Sequence, residues 1–118
     1  MNRDIDTVLR HYLIAAIWSS GNDGEFDDLT PDEVDAESAT TARGEIVDFL
    51  AVCKTNKVNL TAWTDEQLGH DFWLTRCGHG AGFWDRGQGK DGKDAADWAR
   101  VAGSRDIYLG DDGVLYIS

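Results

Sequence analysis

Residues 69–86 read GHDFWLTRCGHGAGFWDR, and whether this stretch pairs as strands or winds as a helix decides the fold. Phe72, Leu74 and Arg76 alternate with Trp73, Thr75 and Cys77, and Phe72, Trp73 and Thr75 are aromatic or β-branched. A period of two in such residues predicts a strand. Gly78, His79 and Gly80 then allow a reversal, and Gly82 to Trp84 return as its partner. The rival reading carries a helix from Thr64 through Arg76 and stops it at Gly78. It places Gly69 in a helix interior, at about 1 kcal/mol relative to Ala. The alternation fits the aromatics better, so a hairpin over 72–84 is the expectation.

Upstream, the pattern is helical. Ile5, Val8, Leu9, Tyr12, Leu13, Ala16 and Ile17 form an i, i+3, i+4, i+7 stripe that Asp4 can cap and that Ser19, Ser20, Gly21 and Asn22 end. Thr30, Pro31 and Glu33 form a capping box with proline at the first helical position, and Leu29 and Val34 are placed to staple across it. The weakly apolar Ser38 to Gly44 allows a break before periodicity resumes at Ile46, Phe49, Leu50 and Cys53, with Asn56 as a stop. Thr64 and Gln67 make a second capping box. Downstream, Gly87 to Gly92 is a loop without the strand, spacing or Ser/Thr of a phosphate loop. A helix starting at Asp91 or Asp94 carries Ala95, Trp98, Ala99 and Ala102 and closes at Gly103. Ile107–Leu109 and Val114–Ile117 flank a Gly-Asp-Asp-Gly turn and predict a hairpin, with Ile107 and Leu109 on one face and Tyr108 on the other. The expected architecture is α+β over a single domain, residues 1–118. N-terminal helices pack on one face of a small antiparallel sheet made of two hairpins with an intervening helix.

The chain has 118 residues, with 22 acidic against 11 basic, a formal charge of −11. A phosphate backbone is bound chiefly by Lys and Arg, so direct nucleic-acid binding is disfavoured. No apolar run reaches the roughly 20 residues that cross a bilayer, and the N-terminal helix is interrupted by Arg10 and His11, unlike a signal peptide. Two cysteines build no disulfide framework, which points to the cytosol. Eight acids and no base lie between Asp23 and Glu37: Asp23, Glu25, Asp27, Asp28, Asp32, Glu33, Asp35 and Glu37. They form either a solvated face or a surface for a basic partner. Their spacing from Asn22 is not that of an EF-hand.

The candidate pocket residues are His70, Asp71, Trp73, Arg76, His79, Trp84, Asp85 and Arg86, because ionisable groups beside aromatics on a glycine-rich backbone suit a pocket wall. A hairpin would put His79 at its tip, about 15 Å from its open end at strand rise, so a His79–Asp85 pair is awkward and a His70–Asp85 pair is closer. Cys77 beside His79 invites a thiol chemistry, and His70, Cys77 and His79 fall short of four zinc ligands at normal spacing. The ordinary alternative pairs Arg76 and Arg86 with Asp71 and Asp85 and packs tryptophans over them. No catalytic residue, metal or cofactor is assigned. Of the five tryptophans, any exposed one would mark a contact site.

Residues 69–87, the helix after them and the closing IYLGDDGVLYI are similar to a family of small tailed-bacteriophage proteins. Their shared pattern resembles DFWLTRNGHGAGFWDRG with a GDDGxxY end. The resemblance covers roughly Leu68 to Tyr116, and more loosely the Ile14–Ser20 segment and the acidic stretch after it. Cys77 stands where the pattern has Asn, which argues against thiol chemistry. The resemblance implies origin and not activity: a phage or prophage product working in a host bacterial cytoplasm. It directs the functional expectation to a non-enzymatic accessory protein that binds a host bacterial protein with a basic surface. Inhibition of a CRISPR or restriction system would suit such a chain. The alternative is a small-molecule or nucleotide pocket built by residues 69–86.

Overall fold

The computed structural model describes residues 3–21, 24–79 and 82–118. Helix α1, Ile5–Ser20, starts as expected, with the Asp4 side chain accepting from the Thr7 amide. The capping box at Thr30 also forms, but it closes only a single 3-10 turn, Pro31–Glu33. Val34 leaves that turn extended and makes a parallel bridge to Leu115. Helix α2, Ala36–Thr55, then begins under a separate cap from Asp35 and runs unbroken through the weakly apolar Ser38–Gly44 to Asn56. Asn22, named above among the helix-ending residues, lies outside the described residues.

Residues 69–76 do not pair as a strand. Helix α3, Asp65–Arg76, takes in Gly69, and its start is the Thr64–Gln67 capping box. Its end is a Schellman turn, with the Gly78 amide donating to the Thr75 carbonyl, the His79 amide donating to the Leu74 carbonyl, and Gly78 at φ +77°. Asp71 through Arg76 are buried without exception. A helix buried on every side has no polar face, so it loses the 3.6-residue signature, and a chance alternation of aromatics reads as a strand.

The glycine that counted against this helix is what seats it. A Cβ on Gly69 would lie 2.7 Å from the Tyr12 nitrogen, and closer still to the Val8 carbonyl oxygen. The backbones of α1 and α3 therefore touch at this point, in the most extensive contact between elements. Around the crossing, Phe49 stacks on Phe72 at 4.4 Å between ring centroids and on Phe83 at 5.4 Å, and Trp73 meets Tyr12 edge-on. Such pairs add about 0.5–1.5 kcal/mol each beyond their buried area.

The segment expected to return as a strand is a second 3-10 turn, Phe83–Asp85, whose buried Phe83 amide donates to Thr75 Oγ1. Helix α4, Gly89–Val101, follows, starting slightly earlier than expected and giving way to Gly103. Strands β1, Ile107–Leu109, and β2, Leu115–Ile117, form the second expected hairpin, with Ile107 opposite Ile117 and Leu109 opposite Leu115. Ile107 and Leu115 reach the core while Tyr108 is half exposed, as the alternation requires. The architecture is α+β, with a sheet of one hairpin. This hairpin rides on the start of α2: the Asp35 amide donates to the Leu115 carbonyl and the Ile117 amide to Ser38 Oγ. Helices make the core, and the sheet is its edge.

Candidate functional site

Two polar nodes take up Asp71 and Arg76, the buried ionisable residues of α3. At the first, the Asp71 side chain is 1% exposed. Its Oδ2 accepts from Arg86 Nε at 2.7 Å and from Trp63 Nε1 at 3.1 Å, and its Oδ1 accepts from Arg86 Nη2 at 2.8 Å. The fork matches the carboxylate edge to edge, so a buried charge is neutralised and hydrogen-bonded at once. Asp71 in turn holds the Arg86 guanidinium above its usual range. This ties the 82–86 loop down onto α3 and supplies the polar partner that a buried Trp63 needs.

At the second node Arg76 is 3% exposed. Nη1 donates to Glu45 Oε1 at 3.0 Å and to Tyr12 Oη at 3.1 Å, Nε and Nη2 donate to the Gly103 and Ala102 carbonyls, and the guanidinium lies over the Phe72 ring. Glu45 also receives Arg105. Burial opposes ionisation of Glu45, but the hydrogen bonds from Arg105 and Arg76 prevail and hold its carboxyl below the usual range. Burial pushes Tyr12 up to about 12 against the pull of Arg76. One node thus joins α1, α2, α3 and the end of α4. Glu45, its acidic partner, carried no sequence signal, since nothing in a helix pattern shows which exposed-looking Glu will face a distant Arg.

The other candidates scatter. Trp73 is buried on the α1 side, donating to Ser19 Oγ. His79 is exposed beyond the end of α3, and Trp84 is 49% exposed. His70, Asp71, Asp85 and Arg86 do meet, around a recess of about 180 Å³. His70 Nδ1 is 3.6 Å from Asp71 Oδ1, beyond hydrogen-bond reach, and has no partner. Both oxygens of Asp71 face Arg86, and at 3.6 Å this pair lacks the oriented bond a His–carboxylate base needs. The Cys77 thiol donates to the Arg105 carbonyl, and burial pushes its pKa up, the wrong direction for a nucleophile. Among the described residues no three His, Cys, Asp or Glu side chains converge as metal ligands.

The acidic stretch divides in two. Glu33 accepts from the Thr30 amide and hydroxyl, and Asp35 from the Ser38 amide, so both serve as caps. Glu25, Asp27, Asp28, Asp32 and Glu37 are exposed. Asp23 lies outside the described residues. Under the 24–31 turn runs a groove of about 400 Å³, walled on one side by Arg10, Ile14, Ile17 and Trp18 of α1 and on the other by Phe26, Asp27 and Leu29. Trp18, at its rim, is 71% exposed. Its ring also lies beside His70, one wall of the recess, with centroids 5.9 Å apart. A position eight residues after Arg10 on a helix shares that face, but the sequence could not show which of the five tryptophans would be left bare.

No described helix is long and apolar enough to cross a membrane. No family model matches the chain, and no curated protein or solved structure is detectably similar to it.

Proposed function

We propose that this chain is a binding protein that docks a basic protein surface on the groove between α1 and the 24–31 turn. The observation that carries the proposal is Trp18, a large apolar side chain left 71% exposed at the rim of a groove whose other wall carries Asp27. An exposed aromatic beside a pocket is the composition of an interface anchor. Asp27 lines the groove, Glu25, Asp28 and Asp32 are exposed on the same stretch of chain, and together they outweigh Arg10, the cation lining the groove, favouring Lys- and Arg-rich partners and repelling nucleic acid. The resemblance to tailed-phage proteins makes a host nucleic-acid-binding protein, including a defence complex, the expected target. Competition for its nucleic-acid groove is the expected effect.

The pocket reading of residues 69–86 has weaker support. Asp71, Arg76 and Arg86 spend their hydrogen bonds on the fold, and the recess they leave is small beside the roughly 300–1,000 Å³ of ordinary ligand sites.

The test is capture from bacterial lysate with wild type, Trp18→Ala, and a quadruple reversal of Glu25, Asp27, Asp28 and Asp32 to Lys. Asp35 is excluded because it caps α2. The expected result is a basic protein bound only by wild type, released by salt, and displaced from its nucleic acid. Equal capture by all three proteins, or none by wild type, overturns the reading.

A further inference from the structure

A left-handed residue follows three helices of this protein, and one of the three is built at a disadvantage. After α3 and α4 the left-handed position is filled by Gly78 and Gly103, at φ +77° and +83°. After α2 it is filled by Lys57, at φ +60°. The hydrogen bonds are those of α3: the Lys57 amide donates to the Lys54 carbonyl and the Val58 amide to the Cys53 carbonyl. Glycine would serve this turn better, since a side chain in the left-handed region is strained. Strain retained at a surface position points to a task for the side chain.

Two unpaired cations lie at the same place. Among the described residues, Arg3, Arg43, Arg76, Arg86, Lys90, Lys93, Arg100 and Arg105 all have carboxylate partners, while Arg10, Lys54 and Lys57 have none. Two of these three free cations line one cleft, of about 840 Å³, at the end of α2. Its walls include Ile5, Leu50, Val58 and Leu60. Arg3, which also lines the cleft, is paired with Asp65, and Asp91 is held by the Asn59 amide and makes no ion pair with either lysine. The turn's own carbonyls are capped, with Asn56 Nδ2 donating to Val52, so the lysines are not drawn back onto the helix end.

We propose that this cleft binds a small organic anion with an apolar body, its carboxylate or phosphate head held by Lys54 and Lys57. On a chain of charge −11, a local pair of free cations over apolar walls selects for such a molecule one at a time. An anionic membrane would be repelled by the rest of the surface. The site is separate from the Trp18 groove and does not depend on it.

The probes are decanoate, decanol and inorganic phosphate, titrated calorimetrically into the full chain, with amide shifts mapping the site and phosphatidylglycerol vesicles as a separate arm. Decanoate is expected to bind one to one, at least tenfold more tightly than decanol or phosphate, and to shift residues 54–60. Lys57→Gly is expected to raise the melting temperature while lowering decanoate affinity several-fold. Lys54→Ala with Lys57→Gly should lose tenfold or more, and Arg10→Ala nothing. Decanol binding as well as decanoate, shifts at the Trp18 groove, or unchanged affinity in the double variant overturns the proposal. So does a fall in melting temperature on Lys57→Gly, or co-sedimentation with the vesicles in place of decanoate binding.

Discussion

Gly69→Ala is the sharpest test of the helical core, because the same substitution at two helical glycines should act with opposite sign. In a helix interior, alanine gains about 1 kcal/mol over glycine. At Gly44, in α2, an added Cβ meets nothing within 4 Å, so Gly44→Ala should keep that gain. At Gly69 the added atom would sit 2.7 Å from the Tyr12 nitrogen and nearer to the Val8 carbonyl oxygen. Those neighbours are backbone and cannot rotate away, so α1 and α3 must separate. Overpacking of this kind typically costs 1–3 kcal/mol, and rigid neighbours place it at about 3. Subtracting the propensity gain leaves a net loss of about 2 kcal/mol at Gly69, and a difference of about 3 kcal/mol between the two variants. For a domain of this size that is a fall of roughly 8 °C against a rise of roughly 4 °C. Urea unfolding followed by tryptophan fluorescence reads it directly, since Trp63 and Trp73 are buried. A neutral or stabilising Gly69→Ala would refute the contact between α1 and α3.

Three further outcomes are expected. Arg86→Ala strands the buried Asp71 charge on the Trp63 donor alone and should lower stability by about 3 kcal/mol in the same assay; a change under about 0.5 kcal/mol would mean that Asp71 is hydrated. Glu45 has a folded-state pKa below its ordinary 4.5, so its contribution is complete above that value and lost as pH falls through the lower one. Thermal melts between pH 6 and 3 should show this acid loss, and Glu45→Gln should be less stable at pH 6 with a shallower slope; equal slopes refute it. Burial pushes the Cys53 thiol up to about 12, so native protein at pH 8 should leave Cys53 unmodified by a disulfide reagent until urea unfolds it. Modification without unfolding would contradict that burial.

Much of the chain was legible because its signals are local. A helix stripe with Asp4 before it, a capping box at Thr64, an Asp-Gly turn between β-rich runs: each concerns residues within a few positions of one another, where propensity and capping act. Residues 72–76 were misread because the deciding contact is not local. A buried helix shows no polar face, and the value of Gly69 depends on Val8 and Tyr12, some sixty residues away. The same distinction holds for the candidate site. The nearness of His70 and Asp85 was expected from a hairpin that does not form; the fold of the 82–86 segment onto α3 brings His70, Asp71, Asp85 and Arg86 around one recess instead. That Asp71 would be filled by Arg86 and Trp63, leaving His70 without a bond, was not legible either.

Chain neighbours and composition suffice for the acidic composition, the caps at Asp4, Thr30 and Thr64, and the C-terminal hairpin. Packing settles which charged and aromatic side chains are consumed by the fold and which are left over. Arg76 disappears into a node with Glu45, while Trp18, Lys54 and Lys57 remain exposed. Burial and pairing are settled between segments far apart in sequence, so the groups left free for binding appear only after the packing has taken its share.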